Sequence, residues 1–104
     1  DIMMKGGDRL KAAGMEFEVL ATPGHTPGGV SLYLKDHGVV FTGDTLFNRG
    51  VGRTDFAGGD ECALMDSIHS VLFLLDGATQ VLPGHGLDTS IAAEKEWHSR
   101  IGLR

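Results

Sequence analysis

The 104 residues predict a mixed α/β (α+β) domain, and three observations carry that expectation. Two stretches alternate apolar and polar residues with a period of two, as half-buried strands do. Leu64, Met65, Ile68, Val71, Leu72 and Leu75 recur at the spacing of an amphipathic helix. Three apolar runs end abruptly in loops rich in glycine or proline, and these loops carry His25, Asp44 and His85.

Asp1 to Asp8 is weakly patterned, and Lys11 to Gly14 reads as a turn. In Met15-Glu16-Phe17-Glu18-Val19-Leu20 the odd positions face a core and the two glutamates face water. After the His25 loop, Val30 to Leu34 alternates again. Lys35-Asp36-His37-Gly38 then turns the chain into Val39-Val40-Phe41-Thr42, which makes a hairpin with His37 as a solvated turn residue. This second strand delivers Asp44 to a sheet edge, where it is either a turn former or a ligand. Leu46 to Gly59 is glycine-rich and lacks periodicity, so a long ordered loop is expected there, containing Arg53 and Asp55. Asp60 is placed to cap a helix that ends at Gly77, with His69 at the boundary of its apolar stripe. Thr79 to Leu82 reads as a short strand leading to His85. A second, weaker helix starts near Thr89 or Ser90 and includes Trp97 as an apolar anchor. His98, on that helix, is read as lying outside any site.

The length allows one domain at most, and chains near this size bury roughly two-thirds of their unfolded surface. Sixteen glycines require tight loops, and a net charge of -5 without a Lys/Arg cluster excludes a nucleic-acid partner. No apolar run approaches the ~18 residues of a membrane span, and no signal-like segment opens the chain, so a cytoplasmic location without a membrane partner is expected. The lone cysteine, Cys62, has no internal disulfide partner, fits a reducing compartment, and reads as a small buried helix residue.

His25 and Asp44 are 19 residues apart, and Asp44 and His85 are 41 apart, which matches no zinc-finger or helix-borne histidine spacing. Placement is the argument for metal, because rigid loops at three strand ends would present the imidazole and carboxylate donors shared by Zn, Fe and Mn. Each histidine could equally cap backbone groups of its own turn. The residues alone leave both readings open.

Thr22-Pro23-Gly24-His25-Thr26-Pro27-Gly28, Phe41-Thr42-Gly43-Asp44-Thr45-Leu46-Phe47 and Leu82-Pro83-Gly84-His85-Gly86 resemble the third, fourth and fifth metal motifs of the metallo-β-lactamase superfamily. Gly50-Val51-Gly52-Arg53-Thr54-Asp55-Phe56 adds a similarity to its glyoxalase II-like (hydroxyacylglutathione hydrolase) branch, and the matches run from about Gly7 to Trp97. The resemblance implies that residues 1–104 are the C-terminal portion of a single four-layer αββα sandwich domain. It implies His25 on one metal, His85 on a second, and Asp44 as the catalytic bridge between them. It also implies two Zn ions per complete domain, with Fe and Mn as alternatives. Two such ions lower the pKa of a bound water and polarise the carbonyl it attacks. The implied reaction is hydrolysis of a glutathione-linked thioester by metal-bound hydroxide, and a thiol leaves readily because its pKa is only about 8.5.

Arg53 stands where glutathione-using relatives carry a basic residue that holds a substrate carboxylate. Asp55 replaces the aromatic residue expected beside it, so a structural Arg53–Asp55 pair is the equal alternative. The first metal motif of the superfamily, His-x-His-x-Asp-His, is absent from these residues. The isolated chain is therefore expected to be inactive and to associate with the missing N-terminal half or with itself, through an inner sheet face formed by Met15, Phe17, Val19, Val30, Leu32, Leu34 and Val40. Two alternatives stand beside the hydrolase. Mononuclear-iron persulfide dioxygenases also carry Gly-x-Gly-Arg-Thr-Asp-Phe, and the missing motif is the feature of a non-catalytic fragment or interaction module.

Overall fold

The computed structural model describes residues 6–12, 14–55 and 58–101. Its frame is a six-stranded sheet in the order β1-β2-β3-β4-β7-β8. The strands are β1 (Arg9–Ala12), β2 (Met15–Ala21), β3 (Val30–Leu34), β4 (Val39–Gly43), β7 (Gln80–Pro83) and β8 (Thr89–Ser90). Between β4 and β7 lie a two-stranded hairpin, β5 (Leu46–Phe47) and β6 (Gly50–Val51), and a helix, α1 (Glu61–Ser70). A second helix, α2 (Ile91–Arg100), follows β8. Neighbouring strands of the large sheet are antiparallel except β4 and β7, which run parallel.

Of the segment 11–14 expected to be a turn before Met15, Lys11 and Ala12 belong to strand β1, Gly14 is turn and Ala13 lies outside the described residues. Arg9 faces Glu18 and Lys11 faces Glu16 across the β1–β2 pair, so opposite charges meet at two positions, each such pair worth roughly 0.2–1 kcal/mol. The reversal itself is confined to the residues around Gly14, whose φ of +77° favours glycine. The stretch 46–59 is likewise less irregular than its composition suggests, since β5 and β6 pair within it.

The Asp60 carboxylate accepts the Ala63 N–H at 3.1 Å, which caps α1 as its sequence predicts. The helix stops at Ser70 rather than Gly77, and the chain tightens into a 3-10 turn over Leu72–Leu74. The apolar spacing runs on past the helix end because Leu72 and Phe73 remain buried against the same core. Cys62 is exposed, not buried. It sits two residues from Leu64, about 200° around the helix, and so points away from the core.

Buried Val40, Leu46, Leu64, Ile68, Leu72, Phe73, Val81 and Ile91 form one cluster, with Leu20 and Tyr33 at its margin. The register places Val40 opposite Tyr33 and Val81, on the sheet face that the helices cover. Val40 therefore does not belong to the set expected on the other face. On that face Val19, Leu32, Phe41 and Leu82 stand in one cross-strand row. Phe41 there is 38% exposed and meets Phe17 at a ring separation of 6.0 Å.

His98 of α2 is 1% exposed. Its Nδ1 lies 3.4 Å from His69 Nε2, and both rings meet Phe73 edge-on, at 5.1 and 5.0 Å. Burial holds the His98 pKa below its usual value, the His69 charge lowers it further, and Glu94 partly offsets both. The unfolded chain thus binds the His98 proton more readily, so this contribution to stability is present above about pH 6.5 and is lost as pH falls below it. Thermal melts between pH 7.5 and 5.5 should show a Tm decline that His98→Phe flattens. An identical slope in both proteins would overturn the assignment.

Candidate metal centre

Because β2 is antiparallel to β3 and β3 to β4, the strands β2, β4 and β7 all run the same way and end along one edge. His25, Asp44 and His85 follow those three ends. Open sheets bind ligands at such carboxyl ends, and the parallel pair beside an antiparallel one is where loops diverge and leave a crevice.

The His25 loop is closed on itself by Thr22 N–H to the Gly29 carbonyl at 2.9 Å and Gly24 N–H to the Thr26 carbonyl at 3.1 Å. It is also tied to α1. The Asp60 N–H donates to the Gly24 carbonyl at 2.8 Å, and the Ser67 hydroxyl donates to the Pro23 carbonyl at 2.7 Å. Gly24 lies so close to the Leu64 backbone that a Cβ would overlap it. On β4, Gly43 takes a φ of +54° and its carbonyl accepts the Gly84 N–H at 2.8 Å, which brings the Asp44 and His85 loops side by side. A Cβ on Gly84 would stand 3.2 Å from Asp44 Oδ1.

The Asp44 carboxylate turns one oxygen toward each imidazole. Its Oδ1 lies 3.1 Å from His85 Nδ1, and its Oδ2 lies 3.5 Å from His25 Nε2. His25 Nδ1 donates to the Arg53 carbonyl at 2.8 Å, since a carbonyl oxygen only accepts. In the neutral ring that bond leaves Nε2 as an unprotonated nitrogen facing a carboxylate oxygen, an arrangement of two lone pairs that a cation relieves, and it orients the ring as an outer-shell carbonyl does for a metal-binding histidine. The donor set fits a metal in this respect but is partial. Among the described residues no three His, Cys, Asp or Glu side chains are grouped to hold an ion by themselves.

Around these groups Phe47, Val51, Gly52 and Arg53 complete a pocket of about 220 Å³. Phe47 and Val51 escaped the sequence reading, although the alternation of buried Leu46 with Phe47 beside Asp44 signalled an outward-facing aromatic residue there. Arg53 does reach this pocket, yet its Nε donates to Asp55 Oδ1 at 3.1 Å and its Nη2 to Asp55 Oδ2 at 3.5 Å. Those bonds and the guanidinium charge hold the Asp55 carboxyl below its usual pKa. The Arg53–Asp55 pair expected as the structural alternative is therefore formed. His37 ends a short 3-10 turn at the β3–β4 tip and is exposed.

A Cβ on Gly52 would overlap the Asp44 carbonyl oxygen and lie 3.3 Å from His25 Cβ. Gly52→Ala should therefore push apart the two loops that carry these side chains and cost roughly 1–3 kcal/mol, the usual penalty of overpacking. A lowered Tm is the expected result, and an unchanged Tm would contradict the packing described.

Residues 1–85 match the Metallo-beta-lactamase superfamily model. The chain belongs to the metallo-beta-lactamase superfamily. Two similar proteins are the hydroxyacylglutathione hydrolase GloC of Haemophilus influenzae, 45% identical over 86% of this chain and 42% of its own length, and the mitochondrial persulfide dioxygenase ETHE1 of Homo sapiens, 42% identical over 82% of this chain and 34% of its own length. A solved structure, TTHA1623 in a di-iron-bound form, superposes with a TM-score of 0.81 at 41% identity, over 88% of this chain and 44% of that one. The chain thus spans under half the length of each. The metallo-beta-lactamase fold and membership in a superfamily of metal-dependent enzymes, hydrolases and an oxidoreductase among them, follow from these matches. Among the described residues no helix is long and apolar enough to cross a membrane.

Proposed function

We propose that this chain supplies part of the metal centre of a glyoxalase II-type hydrolase that cleaves a glutathione-linked thioester. The observation that carries the reading is the two-sided Asp44 carboxylate, with one oxygen toward His85 and the other toward His25. That disposition suits a bridge between two cations better than a one-sided contact to a single ion. His25 and Asp44 would hold one ion and Asp44 and His85 the other, with zinc as the first choice and iron or manganese compatible with the same donors. Bound there, the metal pair would supply Lewis-acid polarisation of a carbonyl and an activated water.

The protein's own part is placement. Asp44 is fixed by the Gly43–Gly84 hydrogen bond behind it, and His25 is oriented by the Arg53 carbonyl. Phe47 and Val51 offer an apolar wall to the acyl group. Arg53, already held by Asp55, would meet a substrate carboxylate only in exchange for that bond. The remaining metal donors would come from an N-terminal half packed on the open sheet face, and the assembled enzyme would work in the cytoplasm.

A persulfide dioxygenase is the second reading, favoured by the 42% identity to human ETHE1, which is close to that of GloC. Metal content separates the two. The complete domain should retain two ions and turn over S-lactoylglutathione. A single iron with oxygen consumption on a persulfide would replace the hydrolase by the dioxygenase.

A further inference from the structure

We infer that Glu94 of α2 is a positioning residue for the pocket at His25, Asp44 and His85: its buried carboxylate holds the tip of the β5–β6 hairpin, whose strands carry Phe47 and Val51 to that pocket. The pocket's part in chemistry rests on the function proposed above, whereas the clamp is a matter of structure.

Glu94 is only 1% exposed, and both of its oxygens are engaged. Oε1 accepts the Arg49 backbone N–H at 2.9 Å, and Oε2 accepts the Thr89 hydroxyl at 2.7 Å. A carboxylate is costly to bury unless its oxygens are satisfied, so these two donors account for its presence in the interior. Arg49 is in turn unusual. Among the described residues it is the one non-glycine with a positive φ, +57°, at the second position of the two-residue turn between β5 and β6. A glycine would adopt that backbone at less cost. The arginine side chain stacks over Trp97 of α2 at 5.3 Å, a contact that glycine would forfeit. The neighbouring Asn48 amide donates to the Asp88 carbonyl at 3.0 Å.

The hairpin tip is therefore gripped from outside at Asp88, Glu94 and Trp97, all on the segment that follows His85. Its other end meets the site. Leu46 is fully buried, which turns Phe47 to the opposite side, where its ring lies 6.3 Å from that of His85. Gly52 N–H donates to the Thr45 carbonyl at 3.0 Å, closing the hairpin base beside Asp44. A hairpin with two residues in each strand has too little internal pairing to hold its own register. The external clamp supplies the constraint.

Hydrogen exchange resolved by residue tests this in the full protein. Glu94→Ala should speed exchange at the Gly50 and Gly52 amides, which pair across the hairpin with Phe47 and Thr45, at least tenfold, whereas Glu94→Gln, which keeps an acceptor for Arg49 N–H, should leave them within threefold. Ile91→Val, a core change in the same helix, controls for general loss of stability and should raise these amides no more than those of α1. The proposal fails if Glu94→Ala matches Ile91→Val at Gly50 and Gly52, or if Glu94→Gln is as damaging as Glu94→Ala. Should Glu94→Ala not fold, Thr89→Val removes the second support of the carboxylate and should give an intermediate rise, with no rise counting against the clamp. Zinc titration of Asp44→Asn is read separately. Undiminished zinc binding there would remove the metal reading and leave the exchange result to judge Glu94 alone.

Discussion

Replacing Asp44 by asparagine in the complete protein should lower thioester turnover by on the order of a thousandfold, equivalent to losing several kcal/mol of charge stabilisation from a misassembled metal pair. An amide oxygen carries no full negative charge, so it offsets neither of two cations, and its NH2 end would meet one of the imidazoles with a donor. The same substitution leaves the backbone pairing of β4 untouched, because among the described residues the Asp44 side chain is bonded to His25 and His85. Metal content by mass spectrometry and turnover of S-lactoylglutathione should therefore fall together while the Tm of the metal-free protein changes little. Retention of both metal and turnover would remove Asp44 from the site.

The second large effect concerns the sheet face opposite the helices. The buried cluster takes Val40 and Val81 from the large sheet, both from one face. On the other face Phe41 is 38% exposed, and Val30, Leu32, Val39 and Leu82 are each only partly buried. Phe17, Val19 and Leu34 on this face are already buried, and the partly buried side chains have only a fraction of the about 1.5–3 kcal/mol of a full burial left to gain. Covering the row would add on the order of a few kcal/mol, still a sizeable share of a domain's net stability of about 5–15 kcal/mol. The 104-residue chain alone should accordingly associate, with itself or with an added N-terminal half, or else lose fixed packing. Light scattering and the near-UV circular dichroism of Trp97 and Tyr33 measure this. A monodisperse monomer with a cooperative melt would show that the face needs no cover.

Much of the frame was legible in the residues because it rests on local rules. The alternation from Met15 to Leu20, the Asp60 cap and the short run before Pro83 each predict an element that is present. What escaped depends on partners distant in sequence or on weak local signals. Strand β1 is polar at alternate positions, and its pattern becomes readable only when Arg9 and Lys11 are set against Glu18 and Glu16. Strands β5 and β6 are too short to show a period, and the tip between them is stabilised by Glu94, 45 residues further on. Val40 fell on the unexpected face because it follows a turn, and a one-residue change of phase inverts every side chain of a strand. His98 is polar by composition yet buried by its neighbours Phe73 and His69. At the candidate centre, the strand-end positions of His25, Asp44 and His85 were readable, whereas the orientation of the His25 ring by the Arg53 carbonyl was not, since backbone groups leave no trace in side-chain pattern.

The parallel pairing of β4 with β7 also sets the order in which the centre can assemble. β2, β3 and β4 form a meander of near neighbours, so His25 and Asp44 meet through contacts between close parts of the chain. Val40 finds Val81 only across 41 residues, after the hairpin and α1 have been accommodated between them. Closing so long a segment costs chain entropy before its contacts return any stability, and such non-local pairings form slowly. His85 is thus expected to be the last of the three proposed donors to arrive. Pulse-labelled refolding should protect the β2–β3–β4 amides first and the β7 amides later, so a cation present during folding meets a two-donor cradle before a three-donor one.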